Sequence, residues 1–194
     1  MEFVNQISVL LGSSWASGIN LYLSISGLGI AQRMGWINLP GDMQVLSHPL
    51  IIGIAIVLFF IEFFADKIPY VDSAWDSVHT FIRPVGGAAL GYIALADMGP
   101  VVQVPVALLT GSIAMDAHLT KATSRAAINT SPEPVSNSVA SVTEDVSVLG
   151  ILYLIITHPI VAAILVILFI IFSIWFLKKM FRFVKRIFTR RRSA

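Results

Sequence analysis

Ionisable side chains recur at helical spacing in the apolar segments of this sequence, where they could pass protons or a small charged solute. Glu62 and Asp66 stand four residues apart, so they share one helix face. The uncharged run from Leu50 to Ile61 is too short to span a membrane, and its helix must carry Glu62 into or near the membrane. Ionisable groups in a membrane are costly and usually face a cavity or one another.

Two more stripes of charge lie further along the chain, each on one face of a predicted helix. The first mixes acidic and basic groups and comprises Asp72, Asp76, His79 and Arg83. The second is basic and comprises His118, Lys121, Arg125 and Asn129. If the charges are structural, we expect the acidic pair to bind Arg83 or Lys121. If they are functional, we expect a substrate or ion pathway lined by Glu62, Asp66, His118, Lys121, Arg125 and Asn129.

The sequence contains no pattern of a known catalytic or metal centre. It has no cysteine, no HExxH, no GxSxG and no phosphate-binding loop. His48 and His158 each precede a proline, and a histidine at such a place caps the freed backbone groups more often than it binds a metal. We therefore expect no enzyme activity, no cofactor and no metal site.

The composition is that of a membrane protein. Of the 194 residues, 56% are hydrophobic and 12% are charged, and the mean hydropathy is +0.83. Soluble domains carry about 25% charged residues, so an ordinary soluble enzyme is excluded. We predict an all-α integral membrane protein with about five membrane segments, forming a single membrane domain over residues 1–177.

Most of the positive charge lies at the C-terminal end. Eight of the thirteen Lys and Arg residues fall in 178–192, where there is no Asp or Glu. We predict that 178–194 is a basic amphipathic tail on an anionic membrane surface, not a nucleic-acid-binding segment. The positive-inside rule places the tail in the cytoplasm. The expected surface contacts are Lys178, Lys179, Arg182, Lys185, Arg186 and Arg190.

Three of the predicted segments are ambiguous. Residues 3–34 are rich in Gly and Ser, which favours either close helix packing or a broken helix that lines a cavity. Residues 71–98 contain Pro84 and form either one kinked helix, which we favour, or an interfacial helix joined to a half-span. Residues 146–177 are predicted to form the last span, interrupted at His158, which would put the preceding polar loop and the tail on opposite sides of the membrane.

Two segments of the sequence are similar to each other, which indicates an internal duplication. Residues 46–61 align without gaps to 156–171, with six of sixteen positions identical, including His-Pro. We predict repeat one over about 5–98 and repeat two over about 100–177. An odd number of segments per repeat would make the two copies inverted in the membrane, with broken or kinked helices. Because five spans alone enclose little, we also expect a homodimer.

One polar string resembles a known family. Arg125…Asn129-Thr-Ser-Pro-Glu-Pro…Ser-Asn137…Glu144-Asp145 resembles the bacterial membrane family filed as domain of unknown function 4126. The resemblance extends from the Ser-Gly-Ile-Asn sequence at 17–20 to the last span. It implies a small multi-span protein of bacterial inner membranes and supplies no catalytic residues. It directs attention to a polar loop comprising Ser131, Glu133, Asn137, Glu144 and Asp145.

These observations support two hypotheses. The first is a transporter or channel for a small charged solute, with a polar site between the two repeats. The second is a membrane protein that binds lipid headgroups or acts as a scaffold without transport. In both, membrane lipids contact the chain, with anionic headgroups at the tail.

Overall fold

The computed structural model describes residues 2–130 and 134–191. Within these ranges every regular element is helical, as the sequence predicts. Two short 3-10 helices, Gly41–Ser47 and Ala96–Met98, lie in connections. The seven α-helices are α1 Glu2–Ile19, α2 Leu21–Arg33, α3 Pro49–Ala65, α4 Pro69–Ala94, α5 Pro100–Ile128, α6 Pro134–Thr157 and α7 Pro159–Arg191.

Prolines mark where several of these helices begin. Pro49, Pro69 and Pro100 each stand in the first turn of a helix, where the missing N–H has no intrahelical partner in any case. Before Pro49, the His48 side chain accepts a hydrogen bond from the Leu50 N–H at 3.2 Å through Nδ1. This histidine is therefore a helix cap, as expected from the sequence.

The first apolar segment is broken at Asn20. Asn20 has extended backbone angles (φ −147°, ψ 99°) between α1 and α2. Gly12 of α1 packs against Ile155 of α6, and Gly27 of α2 packs against Leu152, less than one turn away. Because the two glycines lie on opposite sides of the break and meet the same turn of α6, α1 and α2 form a hairpin with Asn20 at its tip. Both features expected of residues 3–34 are present, because the helix is broken at Asn20 and its glycines pack closely on neighbouring helices.

Helix α7 runs parallel to α1. Near the start of both helices, the Ser8 hydroxyl donates to the Pro159 carbonyl at 2.8 Å. Further along both, the Trp15 and Phe169 rings meet edge to face with centroids 5.3 Å apart. Two contacts in the same order along the two helices fix a common direction.

Helix α6 runs opposite to α1. Gly12 contacts Ile155, near the end of α6, whereas Asn20 donates through Nδ2 to Asp145 Oδ1 at 2.9 Å, earlier in α6. With α7 parallel to α1, α6 and α7 must form an antiparallel pair joined at His158. The prediction of one long last span is therefore wrong, and the His-Pro dipeptide separates two helices.

Helix α5 is also parallel to α7. Asp116 accepts a hydrogen bond from the Ser173 hydroxyl, and further on Thr130 and Met180 line one groove. The end of α5 and the basic part of α7 therefore lie together, at what we call the tail end of the bundle. Asn129, at the start of the polar loop, lies at this end too. Because α6 and α7 are separate helices, the loop begins on the same side as the tail, contrary to the prediction.

The directions of the helices determine how the two predicted repeats would be oriented relative to each other. The alignment relates α3 to α7, and Asp66 at the end of α3 meets Lys121 in the last third of α5, toward the tail end. Helices α3 and α7 therefore both run toward the tail end. This is not the inverted arrangement expected from counting three segments per repeat. Three helices, α4, α5 and α6, separate α3 from α7, and an odd number of intervening antiparallel helices returns the chain to the same direction.

Three helices are long and apolar enough to cross a membrane: Pro100–Ile128, Val135–Thr157 and Pro159–Phe183. A fourth span is counted if Gly41–Ser47 and Pro49–Ala65, bent by 70°, are taken as one broken segment. Within the described residues, three or four candidate membrane spans support a membrane protein. This count falls short of the five membrane segments expected. Helix α4 runs unbroken through Pro84, so the segment around that proline is one helix, as predicted.

Glycines allow α4 to pack closely on α5. A Cβ added at Gly91 would collide with the Thr110 side chain, and one at Gly87 would lie 2.5 Å from the Ala114 Cβ. Small residues at such crossings bring membrane helices into contact along their backbones. The close crossing holds the charged faces of α4 and α5 against each other.

We predict that Gly91→Val destabilises the bundle by about 1–3 kcal/mol, because its side chain would overlap Thr110. Gly53→Val in α3 is the matched control, since among the described residues no atom beyond the adjoining turns of α3 lies within 4 Å of a Cβ at that position. Thermal unfolding in detergent measures both. Equal midpoints for the two variants would contradict the close packing of α4 on α5.

Candidate functional site

Toward the tail end, helices α3, α4, α5 and α6 bring their charged side chains into one buried group. All of its members except Glu144 are at most 5% exposed. We call this group the ion-pair cluster. Its members are Glu62, Asp66, Asp72, Asp76, Arg83, Lys121, Arg125 and Glu144.

Three short ion pairs hold the cluster together. The N–O distances are 2.6 Å for Arg83 with Glu62, 2.9 Å for Lys121 with Asp66, and 2.7 Å for Arg125 with Glu144. The first two confirm that the acidic pair of α3 binds Arg83 and Lys121. Each pair joins two different helices, so the charged faces predicted from spacing fix the relative positions of α3, α4, α5 and α6.

Lys121 is the most connected member. Besides Asp66, its Nζ lies 3.6 Å from Glu62 Oε1 and 3.5 Å from Glu144 Oε2. It also donates to the Ile19 carbonyl at 3.4 Å. Three carboxylates therefore surround one buried ammonium. A lysine that is taken out of water needs such compensating negative charge.

The tip of the α1–α2 hairpin forms one wall of the cluster. The Gly18 carbonyl accepts a hydrogen bond from Arg83 Nη1 at 3.2 Å, and the Ile19 carbonyl accepts one from Lys121. The last carbonyls of a helix lack intrahelical donors and carry the negative end of its dipole, so cations stabilise them. Asn20 caps α2 by accepting from the Leu23 N–H at 3.0 Å. Asn20 is not among the site residues predicted from the sequence, although it ends the Ser-Gly-Ile-Asn sequence that carries part of the family resemblance.

His118 is a neutral link between α4 and α5. Arg83 Nη1 lies 2.8 Å from His118 Nδ1, and because a guanidinium can only donate, Nδ1 must accept. The ring proton is then on Nε2, which donates to Thr80 Oγ1 at 2.9 Å. His118 therefore positions Arg83 and carries no charge in this arrangement.

The remaining stripe residues lie at the edges of the cluster. His79 Nδ1–H donates to the Trp75 carbonyl at 2.9 Å, and its Nε2 lies 3.1 Å from the Tyr22 hydroxyl. Asn129 Nδ2 donates to Asp72 Oδ2 at 3.0 Å. Both stripes therefore turn toward the cluster.

Lys67 lies beside the cluster, in the connection after α3. Its Nζ sits 3.0 Å from the centre of the Phe63 ring and donates to Ser141 Oγ at 3.4 Å. Burial lowers the pKa of the Lys67 ammonium, and the nearby carboxylates of Asp145 and Asp66 oppose this shift. Lys67 remains partly exposed, so it closes the cluster toward the tail end.

The residues predicted as a polar loop are divided by the structure. Glu144 and Asp145 lie within α6, where Glu144 joins the cluster and Asp145 binds Asn20. The Asn137 carbonyl accepts from Arg125 Nη1 at 2.9 Å. The predictions for Ser131 and Glu133 lie outside the described residues.

Two cavities reach the cluster from different sides of α5. One, of about 230 Å³, lies between α4 and α5 and is lined by Asp76 and Arg125 together with three hydroxyl side chains. The other, of about 180 Å³, lies among α1, α5, α6 and α7 and is lined by Lys121 and Glu144. Each cavity thus presents one acidic and one basic member of the cluster.

In the part of the chain that the structure describes, no three His, Asp or Glu side chains are placed to hold a metal ion. His48 and His158 both lie far from the cluster, at helix starts on the opposite end of the bundle. The His158 Nδ1 lies 2.9 Å from the Thr157 hydroxyl.

The basic tail continues α7 as a helix to Arg191. The side chains of Lys178, Lys179, Arg182 and Lys185 are exposed, and Lys179 Nζ lies 4.9 Å from the Trp175 ring centre. The predicted contacts of Arg186 and Arg190 concern side chains outside the described part. An apolar groove of about 710 Å³ between α5 and α7 lies beside these cations.

Comparison with known proteins gives one match. A family model described as Domain of unknown function (DUF4126) matches residues 7–179. No curated protein and no solved structure is significantly similar to the chain. The match covers all four helices that form the ion-pair cluster, as well as the hairpin that walls it.

Proposed function

The chain belongs to the family described as Domain of unknown function (DUF4126), and from that premise we propose that it is a transporter or channel for a small charged solute. The proposal rests on one observation: a buried ion-pair cluster with a cavity on each of two sides. Ion pairs that serve only structure do not require a cavity beside them. A site that exchanges its ion-pair partners with a solute requires a cavity through which the solute can enter.

The chemistry of the two cavities supports a charged cargo. A solute anion entering between α4 and α5 would meet Arg125, and one entering on the other side would meet Lys121. Each cation now binds a carboxylate of the chain, so a solute anion would replace Glu144 or Asp66 as its partner. A cationic group would instead find Asp76 or Glu144. Exchange of this kind keeps the cation paired, whereas the displaced carboxylate must turn to water in the cavity or take up a proton.

The broken helix supports the same proposal. Helices interrupted at a polar site, with free carbonyls turned toward charged groups, are a recurrent feature of transporters. Here the Gly18 and Ile19 carbonyls contact Arg83 and Lys121. We propose that movement of the α1–α2 hairpin opens the cluster. The tip of the hairpin contains one residue with an extended backbone, and neither α1 nor α2 is among the candidate membrane spans of the described residues.

We retain the duplication in a changed form. If residues about 5–98 and 100–177 are two repeats, the common direction of α3 and α7 makes them parallel, related by an axis along the membrane normal. The polar site would then lie between them. We also propose a homodimer, because three or four spans in one chain enclose little volume.

We place the protein in a bacterial inner membrane with the tail end in the cytoplasm, because its basic side chains exceed those of the other end. The ion-pair cluster would then lie on the cytoplasmic side of the bilayer centre. The α1–α2 hairpin enters from the outer side.

The second candidate function is binding of lipid headgroups without transport. It is favoured by the apolar groove between α5 and α7 and the exposed cations Lys178, Lys179 and Arg182 next to it. A phospholipid chain in the groove would bring its phosphate to these side chains. In this case the ion-pair cluster has only a structural role. We assign no catalytic role to any residue under either proposal.

Flux into proteoliposomes separates the two functions. We expect the purified chain to move small radiolabelled anions or cations faster than protein-free liposomes. A variant with Lys178, Lys179 and Arg182 changed to Gln should transport at the same rate. Loss of anionic-lipid binding by that variant in detergent, with no flux in the unaltered chain, would support headgroup binding and contradict transport.

A further inference from the structure

The buried charges do not balance. Among the residues that the structure describes, five carboxyl side chains are at least nine-tenths buried, against three cations. An uncompensated charge is costly in the interior, and such a group takes up a proton or an ion instead. The five acids are Glu62, Asp66, Asp72, Asp76 and Asp145, and the three cations are Arg83, Lys121 and Arg125.

The short ion pairs show which acids are compensated. Glu62 and Asp66 bind Arg83 and Lys121, and Arg125 binds the partly exposed Glu144. All three cations are thereby used. The acids without a short ion pair are Asp72, Asp76 and Asp145.

Two of these three acids are held by amide groups. Asp72 Oδ2 accepts from Asn129 at 3.0 Å, and Asp145 Oδ1 accepts from Asn20 at 2.9 Å. Asp76 differs, because neither of its oxygens has a hydrogen-bond partner within the described chain. Its nearest cation is Arg83, with Nη1 at 3.6 Å from Oδ1. Asp76 is only 5% exposed, so both oxygens are desolvated.

Asp76 also adjoins space that can hold water. It lines the cavity of about 230 Å³ between α4 and α5, together with the hydroxyl groups of Ser73, Ser77 and Thr80. Hydroxyl groups around a cavity of this size give ordered water the two to four partners it needs. A proton can therefore reach the Asp76 carboxyl from water without crossing the apolar core.

We infer that Asp76 is a proton-binding site, and that the proton is the ion coupled to solute movement through the ion-pair cluster. The coupling rests on the proposed transport function, whereas the proton site does not. The step is a simple association: one proton from cavity water adds to one carboxylate oxygen of Asp76 and leaves a neutral carboxylic acid. That acid can donate its O–H to water or to a solute in the cavity.

The surroundings of Asp76 explain why protonation would act on the cluster. From α4 it faces Asp72 and Arg83, from α5 His118, Lys121 and Arg125, and from the end of α3 Asp66. Protonation removes one negative charge from this set. Arg83 then has only Glu62 as an acidic partner, and Arg125, across the cavity, becomes a stronger site for an anion. Proton and anion binding would therefore favour each other.

Difference infrared spectroscopy across a pH series tests the site directly. We expect the reconstituted chain to show the carbonyl band of a protonated carboxylic acid that is lost at high pH, with uptake of about one proton per chain. Asp76→Asn should remove this band, and Asp76→Glu should keep it with a shifted midpoint. Asp116→Asn is the matched control, because Asp116 is a partly buried acid of α5 that binds Ser173 outside the cluster. It should leave the band in place.

The outcomes separate the two proposals. A band unchanged in Asp76→Asn, or one that responds to Na⁺ at constant pH, would overturn the proton site, whatever the flux. A band assigned to Asp76 in a protein that moves no solute would establish the proton site and refute transport. Because Asn has the shape of the protonated acid, we expect Asp76→Asn to fold. Asp76→Glu provides the test if it does not.

Discussion

Arg83→Met is expected to lower the free energy of unfolding by about 3–5 kcal/mol, the usual cost of removing one partner from a buried ion pair. Arg83 is fully buried and binds Glu62 at 2.6 Å, His118 at 2.8 Å and the Gly18 carbonyl at 3.2 Å. Its loss would leave a buried carboxylate and a helix-end carbonyl without their donor. Such a penalty is a large share of the free energy of unfolding of a small protein. We therefore expect a large fraction of the Arg83→Met molecules to be unfolded.

The matched control is Arg33→Met. Arg33 lies in the last turn of α2, on the exposed side, and among the described residues its side chain donates to the Ser47 carbonyl alone, at 3.5 Å. We expect its thermal midpoint in detergent to equal that of the unaltered chain. The double variant Glu62→Met/Arg83→Met should be more stable than Arg83→Met alone, because it leaves no unpaired carboxylate at that position. Equal stability of Arg83→Met and Arg33→Met would contradict the assignment of Arg83 to the cluster.

Arg125→Lys is expected to lower solute flux roughly tenfold to a hundredfold, which corresponds to one charge-assisted hydrogen bond of about 1.5–3 kcal/mol. Arg125 donates to Glu144 through both Nε and Nη2, and to the Asn137 carbonyl through Nη1. A lysine keeps the charge but cannot hold a carboxylate with two parallel hydrogen bonds. The cluster would keep its net charge and lose its geometry.

Flux into proteoliposomes at matched protein content measures this effect. Arg33→Lys should transport at the unaltered rate, and both variants should elute as folded protein from a sizing column. If Arg125→Lys is folded and transports normally, Arg125 is a structural cation and does not meet the solute.

The sequence predicts which faces of the helices are charged, and the structure places those faces together. The spacing of Asp72, Asp76 and Arg83 is enough to assign them to one side of α4, because a helix fixes the side of each residue. The pairing of the α3 acids with Arg83 and Lys121 follows from charge alone. Spacing cannot tell which carboxyl stays unpaired, since that depends on how far each side chain lies from each cation in the folded bundle.

The directions of the helices could not be obtained in this way. The same dipeptide, His-Pro, precedes α3 after a turn and precedes α7 where the chain reverses its direction. Local sequence does not distinguish a kink within one helix from a reversal between two helices. The hairpin at Asn20 depends on tertiary partners, since Asp145 binds its side chain and Lys121 binds the carbonyl before it. One missed reversal changed the predicted side of the polar loop and the predicted orientation of the repeats.

Accessibility of cysteines along α5 tests most directly whether the ion-pair cluster is a site or only an internal support, since the chain has no cysteine of its own. Ala122→Cys lies in the cavity beside Asp76, Thr120→Cys lies in the cavity beside Lys121, and Ala117→Cys, at 0% exposure, is the buried control. We expect a small, charged, membrane-impermeant thiol reagent to label the first two and not the third, with labelling slowed by the transported solute. If neither cavity position is labelled in folded protein, water does not reach the cluster and the proposed pathway is wrong.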